Sequence, residues 1–214
     1  FGHLGEAAGE VCFNTSMTGY QEIITDPSYA EQIIAMTYPM MGNYGTNKND
    51  LESAEPVMRA FVAREYSKIY ESRYAEESLD GFLKKQKIPG IEGVDTRKLT
   101  RHIRDKGAMR GIVSATDHDT ASLLKKVLKY PQMSGWDLAS KVTTKKKYTY
   151  STEGKYHVVA YDFGIKQNIL KLLAQSGCKV TVVPAKTTAE EVLALKPQGV
   201  FLSNGPGDPA AVTY

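Results

Sequence analysis

The stretch His157-Val158-Val159-Ala160-Tyr161-Asp162 reads as a buried strand, and this strand together with the elements after it decides the fold. Residues 166–176 carry Ile169, Leu172 and Leu173 on one helical face, and Gly177 stops that helix. Residues 179–183 give a second strand. Thr188-Ala189-Glu190-Glu191 fits a capping box that opens a helix through Leu195, which Pro197 ends. Residues 199–203 are the third strand. This β-α-β-α-β order implies a parallel sheet with right-handed crossovers, in which ligands lie beyond the carboxyl ends of the strands. Two loops fall at those ends, Asp162-Phe163-Gly164 and Ser203-Asn204-Gly205-Pro206-Gly207-Asp208-Pro209. In the second, the prolines stiffen the turn and have no amide, so the remaining donors are those of the glycines and their polar neighbours. Such a loop can offer fixed N–H groups to a developing negative charge, and its composition equally suits a surface turn.

Upstream the text is mixed and has no repeat. Val11 and Phe13 alternate with Cys12 and Asn14, as in a half-buried strand, which makes Cys12 a small buried hydrophobe. Thr25-Asp26-Pro27-Ser28-Tyr29 is a turn, with proline presetting φ and Asp26 able to bond the backbone ahead of it. Residues 32–38 and 61–63 read as strands, and residues 76–85 as a short amphipathic helix. A complete helix is expected at residues 95–107, capped by Asp95 and ended by Gly107, with Leu99 and Ile103 inward. Its outer face carries Arg97, Lys98, Arg101, Arg104 and Lys106, a solvated face with no interleaved aromatics. Ile112-Val113 suggests a return strand, and residues 122–128 a helix. Residues 143–156, rich in Thr, Lys and Tyr, read as a linker between a first domain at 1–142 and a second at 157–214.

Composition narrows the function classes. With two cysteines in 214 residues, Cys12 and Cys178, far apart and without metal-ligand spacing, the chain suits a reducing compartment and needs no disulfide framework. The four histidines show no H-x-x-x-H pairing, so no metal site is expected. No apolar run approaches a membrane span and no signal-peptide pattern opens the chain, so a cytoplasmic protein without a membrane partner is expected. The net charge of +3 gives little reason to expect a nucleic-acid partner.

Specific motifs go further. Gly9-Glu10-Val11, Phe13-Asn14-Thr15-Ser16-Met17-Thr18-Gly19-Tyr20-Gln21-Glu22, Thr25-Asp26-Pro27-Ser28-Tyr29, Tyr38-Pro39, Gly42-Asn43, Asp95-Thr96-Arg97-Lys98-Leu99-Thr100, Val159-Ala160-Tyr161-Asp162-Phe163-Gly164 and Leu202-Ser203-Asn204-Gly205-Pro206-Gly207-Asp208-Pro209 follow one another along the chain. In this order they closely resemble the small, glutamine-hydrolysing subunit family of carbamoyl-phosphate synthetases. The resemblance implies an α/β protein: the mixed β/α N-terminal domain peculiar to that family, then the first β-α-β-α-β part of a doubly wound class I glutamine amidotransferase domain. It also implies hydrolysis of glutamine through a cysteine thioester. Ammonia would pass to a large ATP-dependent subunit that makes carbamoyl phosphate from bicarbonate, for pyrimidine and arginine synthesis. The implied partners are that large subunit, in a heterodimer, and glutamine. No cofactor is implied for the small subunit, and ATP and Mg belong to the large one.

Three positions correspond to the family's glutamine-site residues: Ser28 in the Asp-Pro-Ser-Tyr turn, and Gly205 and Gly207 in the loop. Free glutamine is a zwitterion whose carboxylate needs donors, and the tetrahedral oxyanion needs a backbone N–H, for which Gly205 is the candidate. If Ser28 reaches the pocket, the Asp26 turn must lie against the carboxyl edge of the sheet. Apart from the resemblance, Ser28 reads as a turn residue bonding its own backbone. The family's nucleophilic cysteine and its His and Glu partners are expected after Tyr214, which leaves no catalytic residue in this span. The span is then the front portion of the subunit and would not hydrolyse glutamine alone. Two alternatives are a non-catalytic doubly wound ligand-binding module and a basic docking protein acting through the helix at 95–107. For the first, the sequence has no G-x-G-x-x-G after the strand ending at Asp162 and no G-x-x-x-x-G-K-[ST].

Overall fold

The computed structural model describes residues 1–214, which form two compact units: Phe1–Thr25 with Tyr29–Gln132, and Met133–Tyr214 with the short piece Asp26–Ser28. The first unit contains β1 (Glu6–Asn14), α1 (Tyr20–Thr25), β2 (Gln32–Met36), β3 (Met40–Met41), β4 (Ala60–Val62), β5 (Glu65–Tyr66), α2 (Leu79–Lys85), β6 (Gly90–Ile91), α3 (Thr96–Lys106), β7 (Met109–Ser114) and α4 (Thr120–Lys129). The second contains α5 (Ala139–Val142), β8 (Tyr148–Ser151), β9 (Tyr156–Asp162), α6 (Gln167–Gln175), β10 (Cys178–Pro184), α7 (Ala189–Ala194) and β11 (Gly199–Leu202). No helix is long and apolar enough to cross a membrane.

In the first unit five strands make a sheet in the order β6-β4-β2-β1-β7, parallel except for β7, which runs antiparallel to β1. Both faces are covered. Ile34, Met36, Phe61 and Ala63 pack with Ile24, Leu79 and Leu83, whereas Ile33, Ala35, Ala60 and Val62 pack with Ile103 and Val113. The alternation in β1 therefore marks two buried faces and not one wet face. Ala7 and Val11 serve one cluster, and Cys12 packs against the other. The Cys12 thiol donates to Gln32 Oε1 at 3.6 Å, and burial, with the Glu10 carboxylate adding, pushes it up to about 12. That suits a packing residue rather than a thiolate nucleophile.

The helix signals in this unit hold. Asp95 Oδ1 accepts from Lys98 N at 2.9 Å, Gly107 follows the last turn of α3, and Ser78 caps α2. The basic face of α3 is exposed. The sequence reading had no helix at α1, a six-residue helix in which all but Glu22 are buried, so it shows no polar face to read.

In the second unit the strands lie in the order β11-β9-β10-β8. β9 pairs in parallel with β10 on one side and with β11 on the other. Ala160, Val180 and Val182 face Leu170 of α6, and Val159 and Val183 meet Val192 of α7, so the two helices cover opposite faces. Thr188 and Glu191 make the expected capping box.

Two features of this unit differ from the sequence reading. Part of the stretch at 143–156 is β8, antiparallel to β10; its Tyr-Thr-Tyr alternation is a strand signal that the neighbouring lysines hid. Residues 133–142, read as the end of the first domain, belong with the second unit, where Leu138 and Ala139 are buried.

Candidate functional site

Because β10 and β11 flank β9 on opposite sides, the strand order reverses at β9. In such sheets the loops leaving the two diverging strands open a crevice at their carboxyl ends. Here those loops are 162–166 and 203–209, the two singled out in the sequence. Asp162, buried at the end of β9, turns the chain into α6: its Oδ1 accepts from Gly164 N at 2.9 Å and Ile165 N at 2.8 Å. Its Oδ2 accepts from Thr144 N at 2.7 Å. Ser203, just past β11, locks the second loop onto the first. Its Oγ accepts from Phe163 N at 3.0 Å and donates to Asn204 O at 2.7 Å.

Two glycines make this approach possible. A Cβ on Gly205 would stand 2.2 Å from the Phe163 carbonyl oxygen, so no side chain fits there without backbone movement. Gly207 has φ +85, and a Cβ there would lie 2.5 Å from the Trp136 carbonyl oxygen. Asp208 clamps the far end of the loop. Its Oδ2 accepts from Gly135 N at 2.8 Å, its Oδ1 from Ala210 N at 2.9 Å, and its own amide donates to Trp136 O at 3.2 Å. The Gly135 and Ala210 amides hold the Asp208 carboxyl below its ordinary value. With Ser203 N spent on Tyr161 O and Asp208 N on Trp136 O, the amides of Asn204, Gly205 and Gly207 donate to no group of the protein. A pocket of about 340 Å³ opens beside them, lined by Phe163, Ser203, Gly205, Gly207, Ala139 and Val212 among others.

The Asp26–Ser28 turn belongs to this same unit. Ser28 N donates to Asp26 Oδ1 at 2.8 Å, the turn bond expected from sequence. Lys166 Nζ lies 3.7 Å from Asp26 Oδ2. The Ser28 hydroxyl is engaged as well: Asn204 Nδ2 donates to Ser28 Oγ at 2.5 Å. The structure thus brings Ser28 next to the glycine loop through Asn204. Ser28 itself is not among the residues lining the pocket.

The family model for the carbamoyl-phosphate synthase small chain, CPSase domain, matches residues 1–113. The chain belongs to the carbamoyl-phosphate synthase small-chain family. Residues 159–214 match the class-I glutamine amidotransferase model, which takes in β9 through the glycine loop. The carbamoyl phosphate synthase small chain of Chlorobaculum tepidum is 56% identical over 215 aligned residues, covering 100% of this chain and 59% of that relative. The small chain of Syntrophotalea carbinolica is 51% identical, covering 100% of this chain and 61% of the relative. That of Vibrio parahaemolyticus is 52% identical, covering 98% and 60%. The chain spans about three-fifths of the length of these curated relatives.

In this small-chain family member neither cysteine stands at the crevice. Cys178 is the first residue of β10, at the opposite end of the sheet, about 20 Å from the carboxyl edge at strand spacing. Cys12 lies in the first unit. His157, near the start of β9, is bonded to Thr181 Oγ1 at 2.9 Å. No group of three or more His, Cys, Asp or Glu side chains gathers as a metal site. The sequence reading missed Asn204, Asp208 and the segment at 133–144 that braces the loop. The signal for that segment was the lone Trp136 in a Gly-Trp-Asp run after a helix-ending proline, a break in pattern before the linker composition begins.

Proposed function

We propose that this chain is the front part of a glutamine-hydrolysing subunit that supplies ammonia to a large ATP-dependent subunit for carbamoyl phosphate synthesis from bicarbonate. Ser28, Gly205 and Gly207 hold glutamine, and the nucleophilic Cys with its His and Glu partners comes from residues beyond these 214. The observation that carries the reading is the junction of the Ser28 hydroxyl with the loop holding Gly205, at the reversal point of a class-I amidotransferase sheet. The products feed pyrimidine and arginine synthesis in the cytoplasm, and ATP and Mg bind the large subunit.

The chemistry assigned to these residues is binding and charge stabilisation. Hydrolysis of an amide passes through a tetrahedral intermediate with a negative oxygen, and a fixed N–H aimed at that oxygen stabilises it without reorganisation. The Gly205 amide, free of protein acceptors and held by the Ser203 and Asp208 clamps, fits that task. Ser28 has a different task, to donate to the substrate before and during reaction.

Loss of a ground-state contact raises KM more than it lowers kcat. In the full-length protein Ser28→Ala is expected to raise the KM for glutamine roughly tenfold, the scale of one hydrogen bond to a charged group, with kcat within about threefold. Steady-state glutaminase assays check this. An unchanged KM returns Ser28 to its turn role.

A further inference from the structure

Four contacts involve the Asp26–Ser28 turn, and they act on different parts of it. Ser28 N on Asp26 Oδ1 and Lys166 Nζ near Asp26 Oδ2 fix the turn backbone. Pro27, buried, packs so close to Gly164 that a Cβ on that glycine would lie 3.2 Å from Pro27 Cβ. None of these three orients the Ser28 side chain. Only Asn204 does, donating from Nδ2 to Ser28 Oγ at 2.5 Å.

A serine hydroxyl has one proton to give and two lone pairs to receive. The lone pair facing Asn204 is taken by the amide donor, and the Ser28 hydroxyl donates to no group of the protein. Its proton is therefore left free for an anionic acceptor. A charge-assisted bond from a pre-oriented hydroxyl loses less rotamer freedom on binding than one from a free side chain. Asn204 also sits on the glycine loop, one residue before Gly205, so it links the orientation of Ser28 to the loop that carries the unspent amides.

We propose that Asn204 is a positioning residue: its side-chain amide sets the Ser28 hydroxyl as a hydrogen-bond donor to the carboxylate of the amino-acid substrate. The proposal rests on the reading of Ser28 as a glutamine contact. Asn204 touches no reacting atom, and its effect passes through Ser28.

Asn204→Ala in the full-length protein should raise the KM for glutamine about fivefold, with kcat within about twofold, the scale of one lost orienting hydrogen bond. Asn204→Asp keeps the shape and replaces the donor by an acceptor. It should raise KM at least as much, because the carboxylate accepts the Ser28 hydroxyl's hydrogen bond and leaves no donor for the substrate. In the Ser28→Ala background, Asn204→Ala should add nothing to KM. Circular dichroism of each variant is expected to match the parent, since Asn204 is exposed. If Ser28→Ala leaves KM unchanged, the glutamine reading of Ser28 fails. If Ser28→Ala raises KM, three results overturn the positioning role alone: an Asn204→Asp variant with parental KM, an Asn204→Ala effect that adds in full to Ser28→Ala, or a loss confined to kcat.

Discussion

Replacing Gly205 by alanine is expected to cut glutamine hydrolysis by the full-length protein about 10²–10³-fold, the range for losing one oxyanion donor. The cause is steric and then electrostatic. The new Cβ would fall 2.2 Å from the Phe163 carbonyl oxygen, and that atom is backbone, not the yielding end of a side chain. Phe163 is itself held by Ser203 Oγ on its amide, so the first loop cannot simply retreat. The glycine loop has to move instead, and the Gly205 amide moves with it. Strand and helix content should stay unchanged, because Gly205 is exposed at the sheet edge and outside both hydrophobic clusters of its unit. Glutaminase turnover beside far-ultraviolet circular dichroism checks the pair of expectations. Turnover within about twofold of the parent would contradict the placement of the Gly205 amide.

Asp162→Ala is expected to destabilise the second unit by about 3 kcal/mol, since it strands three backbone donors that the carboxylate satisfies. Asp162 is 7% exposed, so water reaches those donors poorly. Two of the lost bonds, to Gly164 N and Ile165 N, define the turn from β9 into α6, and the third, to Thr144 N, ties in the segment that braces the glycine loop. Asp162→Asn, which keeps one acceptor oxygen, should cost less. The single tryptophan, Trp136, lies in this unit and reports on it by fluorescence. Urea unfolding should show a lower midpoint at unchanged slope. A loss under about 1 kcal/mol would mean that the amides find other partners and that Asp162 is not what holds the turn.

Most of the second unit's architecture was readable along the chain because its signals are local. A capping box at Thr188, a helix stop at Gly177 and three apolar runs of strand length are contained within a few residues each. The order of the strands was not. Nothing between residues 157 and 202 states that β11 pairs with β9 rather than with β10, and it is that choice which makes loops 162–166 and 203–209 neighbours. The bond between Asn204 and Ser28 is less legible still, because 176 positions separate them and each residue has a sufficient local explanation as a turn former. Only the family motifs singled out Ser28. For Asp208 the polar turn composition concealed a clamp on Gly135 and Ala210. β8 was obscured differently, by three lysines that outweigh a short Tyr-Thr-Tyr strand in any average over the stretch.

The loop from Ser203 to Pro209 is proposed above as one wall of a site that takes glutamine and releases its amide nitrogen. The most direct measurement is to give the full-length protein glutamine labelled with ¹⁵N at the side-chain amide, together with the large ATP-dependent subunit, ATP, Mg and bicarbonate, and to follow the label. The ¹⁵N label is expected in carbamoyl phosphate. Recovery of all the label in unreacted glutamine, from a folded and assembled complex, would contradict it.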